Sequence, residues 1–221
     1  MTDLQTTTAA RARYERIAPI YDWLEVLPEW RYRQWRHRFW DRVTQRLPSE
    51  GRLLELGVGT GKNVAYWPAE ARITAIDLSP RMLNRARARI DGSAQNVSLE
   101  LGDAQDLQYP DNSFDLAAMT FVMCSVPDPV IGLREVARVV RPGGYVLLME
   151  HVRSPTPWIG TLMDLLNPIV LRTMGPNINR NTVQNVSAAA LDLMDVEDLG
   201  TGGIFKIIEA RVPEAGAGAR A

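Results

Sequence analysis

The sequence predicts an α/β fold built on one largely parallel sheet, and three observations predict it. Short apolar runs alternate with helical stretches from residue 52 onward, as in sheets whose strands are joined by helices. A glycine-rich turn follows the first of these runs. The chain then closes with two extended runs joined by Gly202-Gly203, which predicts a hairpin and therefore one antiparallel strand.

The composition fits one ordinary globular domain. A chain of 221 residues suffices for one core, and 46% of it is hydrophobic. The net charge of −1 gives no basis for nucleic-acid binding. The single cysteine, Cys124, excludes an internal disulfide and fits a reducing compartment. No secretory signal is recognisable, and the longest apolar stretch, 157–174, is interrupted by charges and proline, so we expect a cytoplasmic protein.

Each predicted element has its own sequence signal. Five buried strands are expected, at residues 52–57, 72–77, 97–103, 114–121 and 145–152. Ser79-Pro80 predicts a helix start, with serine as the cap and proline at the first position. Helical spacing covers 129–140, and Pro142-Gly143-Gly144 is expected to end that helix and turn into the next strand. The hairpin strands are predicted at 196–201 and 204–212.

The glycine-rich turn, residues 57–61, predicts a binding site for a nucleotide-like cofactor. It stands where the first strand ends, and open α/β sheets bind ligands at the carboxyl ends of their strands. A phosphate-binding loop would need glycine and Ser or Thr where Leu56 and Asn63 stand. The dinucleotide pattern would need glycine in place of Lys62. Glycine at every second position, after Glu55, therefore suits a small cofactor without a pyrophosphate.

Two acidic residues strengthen this prediction. Asp77 closes the second strand, where a carboxylate can accept hydrogen bonds from both ribose hydroxyls. Asp103 closes the third strand, where an acid can meet an adenine amino group. Because the carboxyl ends of parallel strands share one sheet edge, the turn and the two acids are expected to converge on one pocket.

From about residue 50 to residue 152 the chain resembles the class I S-adenosylmethionine-dependent methyltransferases. Phe114-Asp115 and the 133–144 segment are typical of that family. The resemblance implies an enzyme with a Rossmann-like seven-stranded sheet in the order 3-2-1-4-5-7-6, strand 7 antiparallel. It implies S-adenosylmethionine as the cofactor and S-adenosylhomocysteine as its product. The residues expected at the cofactor in this part of the chain are Glu55, Gly57, Gly59, Thr60, Gly61, Asn63, Asp77, Leu78, Met82, Asp103, Ala104 and Thr120.

The N-terminal segment resembles a Tyr-x-x-x-Ala-x-x-Tyr-Asp stretch of methyltransferases that act on lipids and quinones. Tyr14 and Tyr21 occupy its two tyrosine positions. The resemblance implies that this stretch closes over the cofactor, with both tyrosines lining the site and Tyr21 also a candidate catalytic residue. The alternative is that both tyrosines only pack a helix onto the core.

A helix rich in tryptophan and arginine is predicted over residues 30–43. Its apolar stripe comprises Tyr32, Trp35, Phe39, Val43 and Leu47, and its remainder carries Arg31, Arg33, Arg36, Arg38, Arg42 and Arg46. Aromatic residues favour the wet edge of a bilayer and arginine binds phosphate in bidentate fashion, so this pattern favours a membrane-surface helix. The alternative is an amphipathic helix that covers the sheet and leaves its arginines solvated.

The segment after strand five holds the candidate acceptor site. His151 lies near the expected position of the methyl group and is a candidate base, or alternatively a structural histidine. An apolar segment, 158–171, lies where the family inserts a substrate lid, which we place at 153–182. Arg153 and Arg180 are candidate substrate contacts, although Arg180 also stands in a polar cluster that could cap a helix beginning near residue 182. No metal site is predicted.

Three short segments, 122–127, 149–152 and 179–181, narrow the resemblance. They are similar to bacterial phosphatidylethanolamine N-methyltransferases of the soluble, peripheral type and to alkyl thiol methyltransferases, with quinone C-methyltransferases more distant. We expect methyl transfer to a lipophilic acceptor, first the amine of phosphatidylethanolamine, alternatively a thiol or a quinone carbon. A hypothesis of another class is a membrane adaptor that binds the cofactor without catalysis.

These expectations divide the chain into three parts. Residues 1–48 are expected to form a helical cap that can double as a membrane-surface element, and residues 49–213 the methyltransferase domain. The small-residue tail, 214–221, is expected to be disordered. We expect the protein at the inner face of the cytoplasmic membrane, with a phospholipid or other lipophilic acceptor as its partner and no nucleic acid.

Overall fold

Seven strands form one sheet in the order β3-β2-β1-β4-β5-β7-β6 in the computed structural model. The structure describes residues 7–8, 11–12, 15, 26–90, 96–173 and 175–214, and only the backbone of 26–31. The strands are β1 (Arg52–Leu56), β2 (Arg72–Asp77), β3 (Val97–Leu101), β4 (Phe114–Thr120), β5 (Val140–His151), β6 (Asp192–Leu199) and β7 (Phe205–Arg211). β7 runs antiparallel to both neighbours, and the other pairings are parallel. The predicted sheet order and its antiparallel strand are confirmed.

Helices connect the strands. They are α1 (Val26–Arg46), α2 (Pro80–Arg87), α3 (Pro129–Val139), α4 (Pro157–Thr173) and α5 (Thr182–Ala188), with a 3-10 turn at Val64–Tyr66. Ser79 caps α2 as predicted, because its side chain accepts a hydrogen bond from the Met82 amide with proline next to it. Asp128 caps α3 in the same way. α5 begins at Thr182 as expected, but the Asn181 side chain makes no capping hydrogen bond.

Two strands begin four or more residues earlier than predicted. β5 begins at Val140 instead of 145, so Pro142-Gly143-Gly144 lies within a strand and does not precede it. Phe114 pairs with Val140 and Leu116 with Tyr145, so the proline and glycines form an irregularity opposite Asp115. β6 begins at Asp192 instead of 196, since its first residues pair with the end of β7 although all four are exposed and two of them are acidic. An edge strand needs only one pairing partner, which apolar periodicity alone does not reveal.

The core fills both faces of the sheet. One cluster packs α3 and α5 onto the sheet through Leu133, Val136 and Val186. The other packs α1 onto the opposite face through Phe39, Trp40 and Val43, each at most 2% exposed. The described helices therefore cover both faces of the sheet, and the carboxyl ends of its parallel strands are the usual place for a ligand in such a fold.

The predicted membrane-surface stripe of α1 instead belongs to the core. Trp35, Phe39 and Val43 are buried, and Tyr32 and Leu47 pack against the same cluster. Four arginines on the polar side of α1 contact other parts of the domain. Arg38 pairs with Glu197, Arg42 with Asp195 and Glu197, and Arg46 with Glu209, while the fourth, Arg36, is buried. The packing alternative therefore describes this helix, because a stripe buried under the sheet is not free to contact lipid.

The predicted lid region contains the long helix α4. It carries exposed apolar side chains along one side, namely Trp158, Leu162, Leu165, Leu166 and Ile169. Within the described ranges, none of the helices is both long and apolar enough to cross a bilayer. The exposed stripe therefore lies on a surface helix, and a lid movement stays a prediction.

Candidate functional site

A pocket of about 770 Å³, including its open mouth, lies at the carboxyl ends of β1, β2, β3 and β4. Its lining includes eight of the residues predicted at the cofactor, namely Gly57, Gly59, Asp77, Leu78, Met82, Asp103, Ala104 and Thr120. The three features that converge in the sequence therefore meet in one cavity.

Asp77, which the sequence predicts at a ribose, is held by two backbone amides. Its Oδ2 accepts a hydrogen bond from the Gly59 amide and its Oδ1 one from the Ser79 amide, each at 2.9 Å. Burial raises the pKa of this carboxyl, and the two amides act against that rise. Each oxygen keeps a second lone pair, so the fixed carboxylate can still accept bonds from vicinal hydroxyls.

The glycines serve two different purposes. Gly57, Gly59 and Gly61 all have positive φ, between +57° and +83°. A Cβ on Gly57 would stand 2.5 Å from Val122, across the pocket wall. Gly61 does not line the pocket, because it packs against the Ala86 backbone of α2, where a Cβ would stand 2.9 Å away. The last glycine thus allows close packing of a helix, not approach of a ligand.

Glu55 and Asn63 lie behind the pocket and not in its lining, contrary to their expected place at the cofactor. Both Glu55 oxygens accept hydrogen bonds, one from the Asn63 side chain and one from the indole of Trp67. Asn63 also donates to Thr120 Oγ1 at 3.0 Å. Thr60, another predicted contact, is buried outside the lining. Glu55 and Asn63 therefore support the glycine turn on the side away from the pocket.

The two N-terminal tyrosines, Tyr14 and Tyr21, lie outside the described residues. Their neighbour Glu15 is described, and its carboxylate accepts hydrogen bonds from Ser79 Oγ at 2.6 Å and the Arg81 amide at 3.3 Å. Thr7 Oγ1 accepts one from the Gln105 side chain at 3.1 Å. Ser79 and Gln105 each follow a predicted acid, Asp77 or Asp103, by two residues, so the described parts of the N-terminal segment lie beside the ends of β2 and β3.

His151 ends β5 beside Phe121, with 6.5 Å between the ring centroids. Burial lowers the pKa of His151 to about 4, so its ring is neutral at pH 7. Its Nδ1 and Glu150 Oε2 are buried, and neither has a hydrogen-bond partner within the described structure. Atoms of Cys124, Glu150 and His151 lie within 4.8 Å of one another, a group that could hold a metal ion and that the sequence did not predict. The three meet because β4 and β5 are neighbours.

Arg153 and Arg180, the two arginines predicted at the substrate, form hydrogen bonds to other residues of the chain. Arg153 forms a bidentate pair with Asp164 of α4, at 2.9 and 3.1 Å. Arg180 donates to the carbonyls of Val126 and Pro127 at 2.9 and 3.2 Å. Since Val126 and Pro127 line the pocket, Arg180 holds one of its walls. A substrate contact by either arginine stays a prediction.

The sequence missed the wall formed by residues 121–127. Phe121, Val122, Ser125, Val126 and Pro127 all line the pocket. Glu150 Oε1 accepts hydrogen bonds from the amides of Val122 and Met123, which fixes this wall to β5. Phe121 has a φ of +59°, unusual for a residue with a side chain. Polar and apolar residues alternate irregularly in this segment, so only its place after a strand end could have indicated that it lines the pocket.

Comparison with known proteins agrees with this geometry. A family model described as a methyltransferase domain matches residues 54–148. The phosphatidylethanolamine N-methyltransferase of Cereibacter sphaeroides is 39% identical over 103 residues, 46% of this chain and 51% of that protein. The ubiquinone/menaquinone biosynthesis C-methyltransferase UbiE of Geobacter sp. (strain M21) is 30% identical over 171 residues, 74% and 71% of the two chains. The human thiol S-methyltransferase TMT1B is 38% identical over 107 residues, 47% and 43% of the two chains.

The similarities to these relatives do not single out one methyl acceptor. The match spans only about half the length of the first of these relatives. The three relatives also carry three different acceptor names. Among solved structures, the [4+2]-cyclase SpnF superposes with a TM-score of 0.67 at 23% identity, covering 81% of each chain, which shows the shared fold.

Proposed function

The chain belongs to the S-adenosylmethionine-dependent methyltransferases, and on that premise we propose that it methylates a lipophilic acceptor, the amine of phosphatidylethanolamine at a membrane surface. The exposed apolar side of α4 carries this proposal, because large uncovered apolar surfaces mark contacts with lipid or protein. The similarity to a phosphatidylethanolamine N-methyltransferase supports it.

α4 is linked directly to the pocket wall. Asn167 of α4 bonds to Asn177 and to the Ile178 amide, at 3.2 and 2.9 Å. Asn177 in turn donates to the carbonyl of Cys124, within the 121–127 wall. A lipid bound on α4 would therefore lie close to the 121–127 wall of the pocket. An acyl chain on the helix and a headgroup at the wall fit this arrangement.

The reaction places a clear demand on the residues around the acceptor. When bound, S-adenosylmethionine supplies an electrophilic methyl group on a sulfonium, and the protein must hold the acceptor lone pair in line with it. An ethanolamine amine resembles lysine, with a pKa of about 10.4, so it must lose a proton before it attacks. His151 carries no charge at pH 7, and a neutral imidazole keeps one nitrogen that can accept a hydrogen bond. It is our candidate for holding the amine, and Tyr21 remains the other candidate.

Thiol methylation is the second candidate, because thiol S-methyltransferases are among the relatives. A thiol has a pKa of about 8.5, so a weakly basic neutral imidazole is sufficient help. A quinone carbon, the acceptor that the name UbiE implies, would need a stronger base than His151 provides. A cofactor-binding adaptor without catalysis would show no turnover with any acceptor.

The deciding experiment offers labelled S-adenosylmethionine to the purified protein with phosphatidylethanolamine vesicles, and separately with alkyl thiols and a demethylated quinone. We expect label in mono-, di- or trimethylated headgroups. Label only in the thiols or only in the quinone would overturn the acceptor while leaving the methyltransferase assignment intact.

Vesicle sedimentation tests the role of α4 independently of turnover. Leu165→Glu with Ile169→Glu should weaken vesicle binding at least about tenfold, because burying each aliphatic side chain is worth about 1.5–3 kcal/mol. Leu101→Glu is the matched control, since Leu101 is also exposed but lies on the β3 edge. Equal binding by both variants would exclude α4 as the lipid contact.

A further inference from the structure

Cys124, Glu150 and His151 form a polar group on the far side of the 121–127 wall. Atoms of the three side chains lie within 4.8 Å of one another, and none of the three residues lines the pocket. Cys124 is 2% exposed and Glu150 0%. Cys124 follows β4 and the other two residues end β5, so the pairing of these strands brings the group together. It is therefore a feature of the fold and not of one loop.

Two atoms of this group lack the partner that burial demands. Glu150 Oε2 and His151 Nδ1 are buried and form no hydrogen bond to any described residue, so they do not bond to each other. The Cys124 thiol makes long contacts, to the Phe121 carbonyl at 3.4 Å and to Ser125 Oγ at 3.5 Å. A buried polar atom without a partner is costly, and in native proteins an ordered water or ion commonly satisfies it.

The donor set selects the kind of ion. Thiolate sulfur, imidazole nitrogen and carboxylate oxygen are the ligands of zinc in proteins, whereas magnesium and calcium take oxygen. Zinc bonds of about 2.0–2.3 Å bring tetrahedral ligand atoms to about 3.5 Å from one another, so these side chains would close in by about an ångström. Glu150 can bind through Oε2 while its Oε1 keeps the Val122 and Met123 amides.

The charges of such a site balance. A thiol that binds zinc gives its proton to solvent, so one thiolate and one carboxylate neutralise the two charges of the ion. Burial raises the pKa of the Cys124 thiol, and the nearby Arg180 guanidinium acts against that rise. Because the loaded site carries no net charge, Arg180 would not face a second cation there. We propose that Cys124, Glu150 and His151 bind a zinc ion, which joins the pocket wall to the end of β5.

The zinc site goes beyond methyl transfer and needs neither the cofactor nor the acceptor. Zinc would occupy a ring nitrogen of His151, the residue proposed to hold the amine, so the ion and the acceptor would compete. Methyl transfer is therefore measured with a chelator present, and zinc binding is measured without acceptor. Either proposal can then fail alone.

Cobalt(II) is the probe for the ligands, because it replaces zinc and its bond to a thiolate gives a charge-transfer absorption band. Chelator-treated protein should bind one cobalt ion per chain with this band, and zinc should displace the cobalt. The chain has a single cysteine, so the band reports on Cys124 alone. Magnesium should not displace the cobalt, since it prefers oxygen ligands.

Cys124→Ala should abolish the band. Cys124→Ala, Glu150→Gln and His151→Asn should each weaken zinc binding in calorimetry at least about tenfold, since losing even an outer-shell partner costs about ten- to hundredfold. His37→Asn is the matched control and should bind zinc like the native protein, because His37 is the other histidine of the chain and is exposed. Zinc should raise the Tm of the native protein and of His37→Asn, but not that of Cys124→Ala.

Three results would overturn the zinc site. One is a cobalt complex without the thiolate band, and another is equal zinc affinity in the native protein and Cys124→Ala. The third is zinc binding that His37→Asn removes and His151→Asn keeps, which would place the ion on the surface. Thermal unfolding in excess chelator shows whether each variant folds. Should Cys124→Ala fail to fold, Cys124→Ser keeps the shape of the side chain and takes its place.

Discussion

α1 and α4 carry similar apolar stripes, yet the sheet covers one stripe and leaves the other in solvent. On α1, Phe39 is 0% exposed, whereas on α4 Leu165 is 72% exposed. Both patterns predict amphipathic helices with equal force. The difference teaches that periodicity identifies the apolar side of a helix but not the partner that covers it.

Polar contacts explain why α1, and not α4, packs against the sheet. The α1 arginines reach acidic residues of β6 and β7, including Glu197 and Glu209, so the polar side of this helix also binds the sheet. α4 instead is tied to loops, through Arg153 to Asp164 and through Asn167 to Asn177. α1 is therefore part of the domain core, and α4 is a surface helix held at one side.

The sharpest test of this contrast compares one truncation in each helix. Phe39→Ala should lower the free energy of unfolding by about 3–5 kcal/mol, because it leaves a cavity in a closed core. Leu165→Ala should change it by less than about 0.5 kcal/mol, since its side chain already faces water. Urea unfolding of both variants measures the difference, and similar losses would show that α4 is covered in solution.

The comparison also shows how far sequence could go. The glycine turn, Asp77 and Asp103 were predictable because each follows a strand of a parallel sheet, and strand ends converge by geometry. The packing of α1 against the sheet was not predictable. Arg38 and Glu197 are far apart in the chain and approach each other only after β6 pairs with β7. Arg36 was equally hidden among six arginines of one helix, since only its burial separates it from the others.

Two buried carboxyls, Glu55 and Glu150, make the stability of the fold depend on pH. Burial raises the pKa of Glu150 from 4.5 to about 7. The folded state thus binds the proton more tightly than the unfolded chain, so this stabilisation is complete below pH 4.5 and is lost as the pH rises through about 7. The loss is on the order of 3 kcal/mol.

Glu150→Gln removes this titration and keeps an oxygen for the Val122 and Met123 amides. Its unfolding free energy relative to the native protein should therefore increase between about pH 5 and pH 8. Burial also raises the pKa of Glu55 to about 7, so Glu55→Gln should show the same increase with pH. It should start from a lower stability, because both Glu55 oxygens accept N–H groups and an amide would oppose one of them. A flat difference for Glu150→Gln would contradict the pKa rise.

Gly160 tests how closely α4 is held on its inner side. An added Cβ would stand 2.8 Å from the Ser154 carbonyl and 2.6 Å from Arg153. The steric cost of Gly160→Ala, about 1–3 kcal/mol, should exceed the roughly 0.5–1 kcal/mol that alanine adds to a helix. Hydrogen exchange should then quicken in α4 but not in α1. Thr161→Ala, on the exposed side of α4, is the control, and unchanged exchange in Gly160→Ala would mean that α4 is already loosely held.

The smallest expected effect concerns the ion pairs that fix α1 to β6. Arg42 meets Glu197 at 2.5 Å and Asp195 at 2.7 Å, with its side chain 27% exposed. A double-mutant cycle of Arg42→Ala and Glu197→Ala should give a coupling of about 0.5–1 kcal/mol, because the pair is partly shielded and belongs to a network. The same cycle on Arg72 and Glu50, 3.8 Å apart and mostly exposed, should give a coupling near zero. Equal couplings would mean that apolar packing alone, without its arginines, holds α1 on the sheet.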